Sequence, residues 1–165
     1  MTGAKHRVWK YGDNVNTDVI FPGKYTYTIS LDPAELARHA LEDLDPSFAD
    51  CARAGDVIVA GRNWGNGSSR EQAVSCLAAA GVHAVIAKSF ARIYYRNAIN
   101  NGLLVIACPQ IVDHIESGDW ISIDMEAAQI HLNGREFSFS PLPEQVRRIL
   151  EAGGIIAYLQ QQSQV

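Results

Sequence analysis

The segment Asn63-Trp64-Gly65-Asn66-Gly67-Ser68-Ser69-Arg70-Glu71 gathers glycines, serines and an arginine between an apolar run, Asp56 to Gly61, and an alanine-rich stretch that ends near Gly81. That order reads as strand, tight turn and helix. Backbone N–H groups at the start of a helix lack intrahelical partners, and the helix dipole there favours negative charge. Three kinds of chemistry suit such a turn. Ser68-x-x-Glu71 and Ser69-x-x-Gln72 are capping-box patterns, which would make the serines structural. Gly65-x-Gly67 is half of a dinucleotide fingerprint, but Arg70 occupies the third glycine position and the next strand ends at Ala87-Lys88 without an acid for a ribose. The third is an acid–base site for a carboxylate substrate. There the N–H donors and the Arg70 guanidinium would stabilise a serine alkoxide, and Arg70 could fork onto a carboxylate. No G-x-S-x-G elbow and no neighbouring histidine supports a hydrolase triad.

The elements that must hold this turn follow from periodicity. Residues 56–60, 82–87 and 103–107 are continuous apolar runs, as expected for strands covered on both faces. Helical segments at about 69–80 and 90–100 alternate with them, with Gly81 and Gly102 at the C-terminal cap positions. Two consecutive crossovers imply a parallel sheet. A first strand is expected over Val8 to Tyr11, and a helix from Asp32-Pro33 to just before Pro46, with Asp32 as cap, Glu35 completing a capping box and Leu36, Ala37, Ala40, Leu41 and Leu44 on its apolar face. After Pro109 the pattern changes to alternation. Trp120 to Met125 and the segments flanking Asn133-Gly134 predict antiparallel strands with a tight hairpin. A helix from Pro143 to Ala152, a break at Gly153-Gly154, a renewed helix from Ile155 and a frayed tail complete the chain. The expected fold class is α/β, one domain over residues 1–165 with a parallel sheet core and an additional antiparallel β layer.

Composition narrows the function classes. The chain has 165 residues, 47% of them hydrophobic, and a formal charge of −4 without a basic stripe, so nucleic acid is not an expected partner. No apolar stretch reaches the ~18 residues of a membrane span, and no secretory signal pattern is visible, which makes the cytoplasm the expected location. Cys51, Cys76 and Cys108 are far apart, without a C-x-x-C, so neither a disulfide framework nor a self-contained metal site is expected.

Three stretches together resemble the swivelling domain of the aconitase superfamily. They are Gly65-Asn66-Gly67-Ser68-Ser69-Arg70-Glu71, the earlier Gly12-Asp13-Asn14-Val15-Asn16-Thr17-Asp18-Val19-Ile20, and Ala87-Lys88-Ser89-Phe90-Ala91-Arg92-Ile93-Tyr94-Tyr95-Arg96-Asn97, followed in register by Asn100-Asn101-Gly102-Leu103. The resemblance spans about residues 7–160, and the length is similar to that of the stand-alone small subunits of isopropylmalate isomerases.

That resemblance implies a swivelling β/β/α domain that closes over a large subunit carrying a four-iron four-sulfur cluster, with no cofactor bound by this chain itself. It implies a hydro-lyase of leucine biosynthesis that interconverts 2- and 3-isopropylmalate by dehydration and rehydration. By the same match Ser68 is the base that removes and returns the proton on carbon. Ser69 and Arg70 bind substrate carboxylate, and Thr17 and Asp18 belong to the substrate site. The loop Pro22 to Thr28 meets the variable part of the substrate. Homologues that take tricarboxylates place an arginine in that loop, whereas here it holds Tyr27 and no arginine, which favours an uncharged substituent. Arg92 and Arg96 become candidates for loop support or the subunit interface, against the plainer expectation that they pair with surface acids. The chain departs from the family pattern at Asn66, commonly Cys, at Gln72, commonly His, and at Trp64, usually Phe. Those changes keep open a related dehydratase for another 2-hydroxy diacid, or a non-catalytic regulatory module. The isolated chain could also self-associate.

Overall fold

A computed structural model describes residues 3–25, 27 and 32–164. Met1, Thr2 and Val165 lie outside the described residues, as do Thr26 and Thr28 of the expected substrate loop.

The elements are, in chain order, β1 (His6–Lys10), α1 (Thr17–Ile20), a 3-10 turn (Gly23–Tyr25), α2 (Pro33–Arg38), α3 (Phe48–Cys51), β2 (Val57–Ala60), α4 (Gln72–Ala79), β3 (Ala84–Ala87), α5 (Arg92–Asn100), β4 (Leu104–Ala107), α6 (Pro109–Val112), β5 (Trp120–Asp124), β6 (Gln129–Leu132), β7 (Arg135–Ser138), α7 (Glu144–Ala152) and α8 (Ile155–Gln162). Seven strands form one sheet in the order β4-β3-β2-β1-β5-β6-β7. β1 to β4 run parallel, with Val8 beside Val57, Val57 beside Ala84 and Ala84 beside Leu104. β1 also pairs antiparallel with β5, and β5, β6 and β7 continue antiparallel.

Side chains alternate across a strand, and here both faces are buried. Ile58, Ala60, Val85 and Val105 point to one side, where they meet Val74 and Leu77 of α4 and Ala98 and Ile99 of α5. Val57, Val59, Ile86 and Ile106 point to the other, where they pack with Ile121, Ile130, Leu132 and Phe137 of the antiparallel strands and Ile111 of α6. The antiparallel extension thus curls over the parallel strands. It is a continuation of the same sheet through β1, and in packing it serves as a second β layer opposite the helices. That is the expected parallel core with an antiparallel layer.

The helix expected up to Pro46 is shorter. α2 ends at Arg38, Leu41 adopts a left-handed φ of 57°, and its N–H donates to the Ile20 carbonyl at 2.8 Å. Leu36, Ala40 and Leu41 are buried as their spacing implied, but through a turn that docks on α1 rather than through continued helix. The Asp32 side chain makes no cap bond. The short helices α1, α3 and α6 had no periodic signal, because four residues cannot display one.

Candidate active site

The parallel strands β1, β2 and β3 all deliver their C-terminal ends to the same edge of the sheet, where ligand sites of open parallel sheets are found. Three loops leave that edge and are joined by backbone hydrogen bonds. Thr17 N–H donates to the Asn66 carbonyl at 2.9 Å and Gly65 N–H to the Val15 carbonyl at 2.8 Å, so the Thr17-Asp18 segment runs beside the glycine turn. Trp64 N–H donates to the Ser89 carbonyl at 3.1 Å, and Ala91 N–H to the Trp64 carbonyl at 2.9 Å, which ties the loop before α5 to the same turn. Asp13 Oδ1 accepts from Arg62 N–H at 2.7 Å, a structural role in keeping with a turn residue. The three stretches that carried the family resemblance are therefore one contiguous structure.

Local sequence explains the shape of the turn. Gly65 has φ +82°, and a Cβ there would sit 2.2 Å from the Tyr94 ring, so only glycine lets the turn lie on that ring. Tyr94 is buried. Its hydroxyl donates to the Ala73 carbonyl at 2.9 Å, and burial pushes the phenol far up, which keeps it a neutral strut. Trp64 is fully buried and meets Tyr94 edge to face, with ring centroids 6.3 Å apart.

The serines do not cap the following helix. α4 begins at Gln72, three residues later than the expected start at 69, and its N-cap Glu71 makes no side-chain cap bond. Ser68 and Ser69 are exposed, and among the described residues neither their hydroxyls nor their N–H groups have a hydrogen-bond partner. The turn thus presents uncommitted donors and hydroxyls to a ligand, the arrangement that binds anions. The capping-box spacing was a coincidence of composition.

Arg70 closes the arrangement. Its guanidinium forms an ion pair with Asp18 and lies over Gly23, where a Cβ would stand 3.0 Å from Nη2. Asp18 sits in α1, capped by Asn16, whose side chain accepts from Val19 N–H at 2.9 Å. Thr17 is buried, and its Oγ1 has no hydrogen-bond partner among the described residues. The Asn66 Oδ1 is likewise buried and unpaired, at one of the positions that departs from the family pattern.

Two cavities meet at the turn. The larger, about 930 Å³, is lined by Gly23, Tyr27, Leu36, Gln72 and the Ser68-Ser69-Arg70 stretch. The smaller, about 260 Å³, is lined by Thr17, Gly67, Arg92, Asn97 and the same three residues. All the candidate site residues are therefore brought together, Tyr27 on one side of the turn and Thr17 on the other, with the Arg70–Asp18 pair between. Gly23 and Asn97 line the two cavities as well, although the sequence reading gives neither an individual role. Gly23 had a signal, a glycine just after Pro22 in the segment that follows Asp18. Asn97 had its place at the end of the Ala87-to-Asn97 stretch.

The three cysteines lie away from the turn in the packing. Cys76 is buried, its thiol pushed up by desolvation, with Sγ 3.7 Å from the Ile20 carbonyl. Cys108 is buried on the opposite face of the sheet and Cys51 is exposed. Among the described residues no three His, Cys, Asp or Glu side chains gather to hold a metal ion. Nor is any described helix long and apolar enough to cross a membrane.

Comparison with known proteins agrees with this geometry. Residues 38–111 match the model of the aconitase C-terminal domain. The 3-isopropylmalate dehydratase small subunit of Halothermothrix orenii is 50% identical over 154 residues, 92% of each chain. That of Aquifex aeolicus is 50% identical over 155 residues, covering 92% of this chain and 91% of its own. The crystal structure of 3-isopropylmalate dehydratase from Methanocaldococcus jannaschii superposes with a TM-score of 0.90 at 45% identity, covering 96% of this chain and 94% of that one. With the serine turn, its two supporting loops and these relatives in agreement, the chain belongs to the family of 3-isopropylmalate dehydratase small subunits.

Proposed function

We propose that this chain is the small subunit of a hydro-lyase that interconverts 2-isopropylmalate and 3-isopropylmalate through an unsaturated intermediate, and that Ser68 is its carbon base. The observation that carries the assignment is the exposed turn at Ser68 and Ser69, whose hydroxyls and N–H groups have no hydrogen-bond partner among the described residues, set beside the Arg70–Asp18 pair between two cavities.

In dehydration, the Ser68 oxygen takes the proton from carbon. The C–H electron pair becomes the new C=C bond, and the C–O bond breaks as hydroxide leaves. In rehydration the proton returns from the same oxygen to carbon. An alkoxide is a poor resting species in water. The free N–H groups of the turn and the nearby guanidinium lower its cost. Ser69 and Arg70 hold one substrate carboxylate, a job suited to a planar guanidinium. Asp18 fixes that guanidinium, and Thr17 Oγ1, buried and unpaired, offers a further polar contact at the smaller cavity. Tyr27, at the larger cavity, meets the uncharged branch of the substrate.

The departing hydroxide needs an electrophile. Cys76 and Cys108 lie in the cores on opposite faces of the sheet and Cys51 is exposed, so in this reading a four-iron four-sulfur cluster would be carried by the large subunit. Once the two are assembled it supplies Lewis-acid assistance to the hydroxyl. The larger cavity is near the size that encloses a drug-sized ligand. A malate fills only part of it, which leaves room for side chains of the large subunit. Small subunits, by the name their relatives carry, act with such a partner.

Ser68→Ala in the assembled enzyme should lower kcat by about 10³-fold, the scale of a lost general base, with assembly intact by native mass spectrometry. Turnover within a few-fold of the parent would remove Ser68 from this role. A second substrate, another short branched malate, is favoured by one observation: Gln72, which departs from the family pattern, lines the larger cavity.

A further inference from the structure

Helix α5 has two unlike faces. Tyr94, Ala98 and Ile99 are buried against the sheet and α4. Arg92, Ile93, Arg96 and Asn100 are exposed, and Ile93 is 54% exposed. Arg92 and Arg96 are four residues apart, so they lie along one side of the helix beside Ile93. Neither arginine has an ion pair or hydrogen bond among the described residues, so the expected pairing with surface acids does not occur. Some surface cations find acids, as Arg148 finds Glu144, Lys88 finds Asp113 and Arg38 finds Glu35, while others, Arg53 and Arg62 among them, form no ion pair among the described residues. What sets Arg92 and Arg96 apart is their place: two guanidiniums without an acid partner among the described residues flank an exposed isoleucine on one face of α5. The same helix turn, Arg92 and Ile93, lines the smaller cavity together with Ser68.

We propose that the outer face of α5 is a docking surface for the large subunit, which would present an apolar socket for Ile93 flanked by carboxylates for Arg92 and Arg96. This rests on the reading that the chain contributes half of a shared site, since the patch is continuous with the cavity that holds the serine turn. Charge decides between occupants. Two copies of this chain facing each other through this patch would bring four cations together, a cost of the kind that rejects wrong partners. An acidic rim on the large subunit satisfies both guanidiniums and covers the isoleucine.

The test measures binding of the purified chain to the purified large subunit by calorimetry, and turnover at saturating large subunit. Arg92→Glu/Arg96→Glu should weaken the Kd by about 100-fold, the scale for reversed interfacial charges, with the difference shrinking at high salt. Ile93→Asp should weaken it without altering the salt dependence in the same way. Arg148→Glu, on α7, should bind like the parent. Ser68→Ala should bind like the parent while losing turnover, which separates the docking surface from the catalytic assignment. If Ser68→Ala kept its turnover but the arginine variant lost affinity, docking would stand and the base assignment would fall. Should the double reversal fail to fold by circular dichroism, Arg92→Gln and Arg96→Gln replace it, each expected to weaken binding several-fold. An unchanged Kd in the charge variants overturns the proposal. So does a fall in kcat at saturation with an unchanged Kd, which would place these arginines on the substrate instead.

Discussion

Tyr27 is 97% exposed, yet it lines the larger cavity across from the serine turn. An exposed aromatic ring beside a ligand cavity offers apolar contact without a charge, which suits an isopropyl or methyl branch better than a third carboxylate. Replacing it by arginine supplies the missing cation. In Tyr27→Arg the ratio of kcat/KM for a tricarboxylate over isopropylmalate should rise about tenfold, the worth of one charge-assisted hydrogen bond of about 1.5 kcal/mol. Steady-state kinetics with both substrates checks this, and an unchanged ratio would remove Tyr27 from the specificity argument. Arg70 is set differently. It is pinned between Asp18 and the bare Cα of Gly23, so its direction is decided by two residues distant in sequence.

The elements around the turn depend on one close approach. Gly65 lies against the Tyr94 ring at a positive φ, so Gly65→Ala meets both a left-handed backbone penalty and a clash with a buried ring. Destabilisation of about 2–4 kcal/mol is expected, seen as a lower denaturant midpoint, and the helix carrying Tyr94 should shift with it. A midpoint equal to the parent's would mean that α5 can move without cost. Much of this architecture was legible in the residues. The runs 57–60, 84–87 and 104–107 are strands, and Asn133 and Gly134 both take the positive φ that a tight hairpin demands. Gly81 and Gly102 take positive φ after their helices. What could not be read locally was decided at long range. Leu41 leaves the helix because a carbonyl of Ile20, twenty-one residues back, accepts its N–H. The serines look like caps because Ser-x-x-Glu is short and common, whereas the structure starts the helix later and leaves both hydroxyls to the cavity. The candidate site residues came from two of the three motifs and from the loop after Asp18, and the proximity of the motifs shows only in the backbone pairing between their loops.

At the scale of the whole molecule, the opposite end of the sheet is fastened by one carboxylate. Asp56 Oδ2 accepts from the Arg7 guanidinium at 2.8 Å, from the Trp9 indole at 2.8 Å and from Arg53 N–H at 3.0 Å. Burial alone would raise its pKa, but these donors outweigh it and hold the carboxyl below the usual range. A carboxyl depressed in the folded state adds stability above its unfolded pKa of about 3.9, and that stability is lost as pH falls through the lower folded value. The thermal midpoint should therefore drop on acidification below about pH 4, and less so in Asp56→Asn, which has no proton to gain there. Asp56→Ala should cost about 2–3 kcal/mol near neutral pH, since it strands the indole and the partly exposed guanidinium. Parallel melting curves of parent and Asn variant across the acid range would contradict this.

β1 precedes every other described strand, yet it lies inside the sheet, with β2 on one side and β5 on the other. Its two partners are Val57–Ala60 and Trp120–Asp124, so the strand cannot be enclosed until the chain through β5 has left the ribosome. Until then its backbone offers a bare edge to any passing strand. The closure that builds the active-site edge also depends on these long-range pairings, which form slowly because much chain must be ordered first. A nascent chain stalled before β5 would carry all three motifs of the site and still have an open seam through the centre of its sheet.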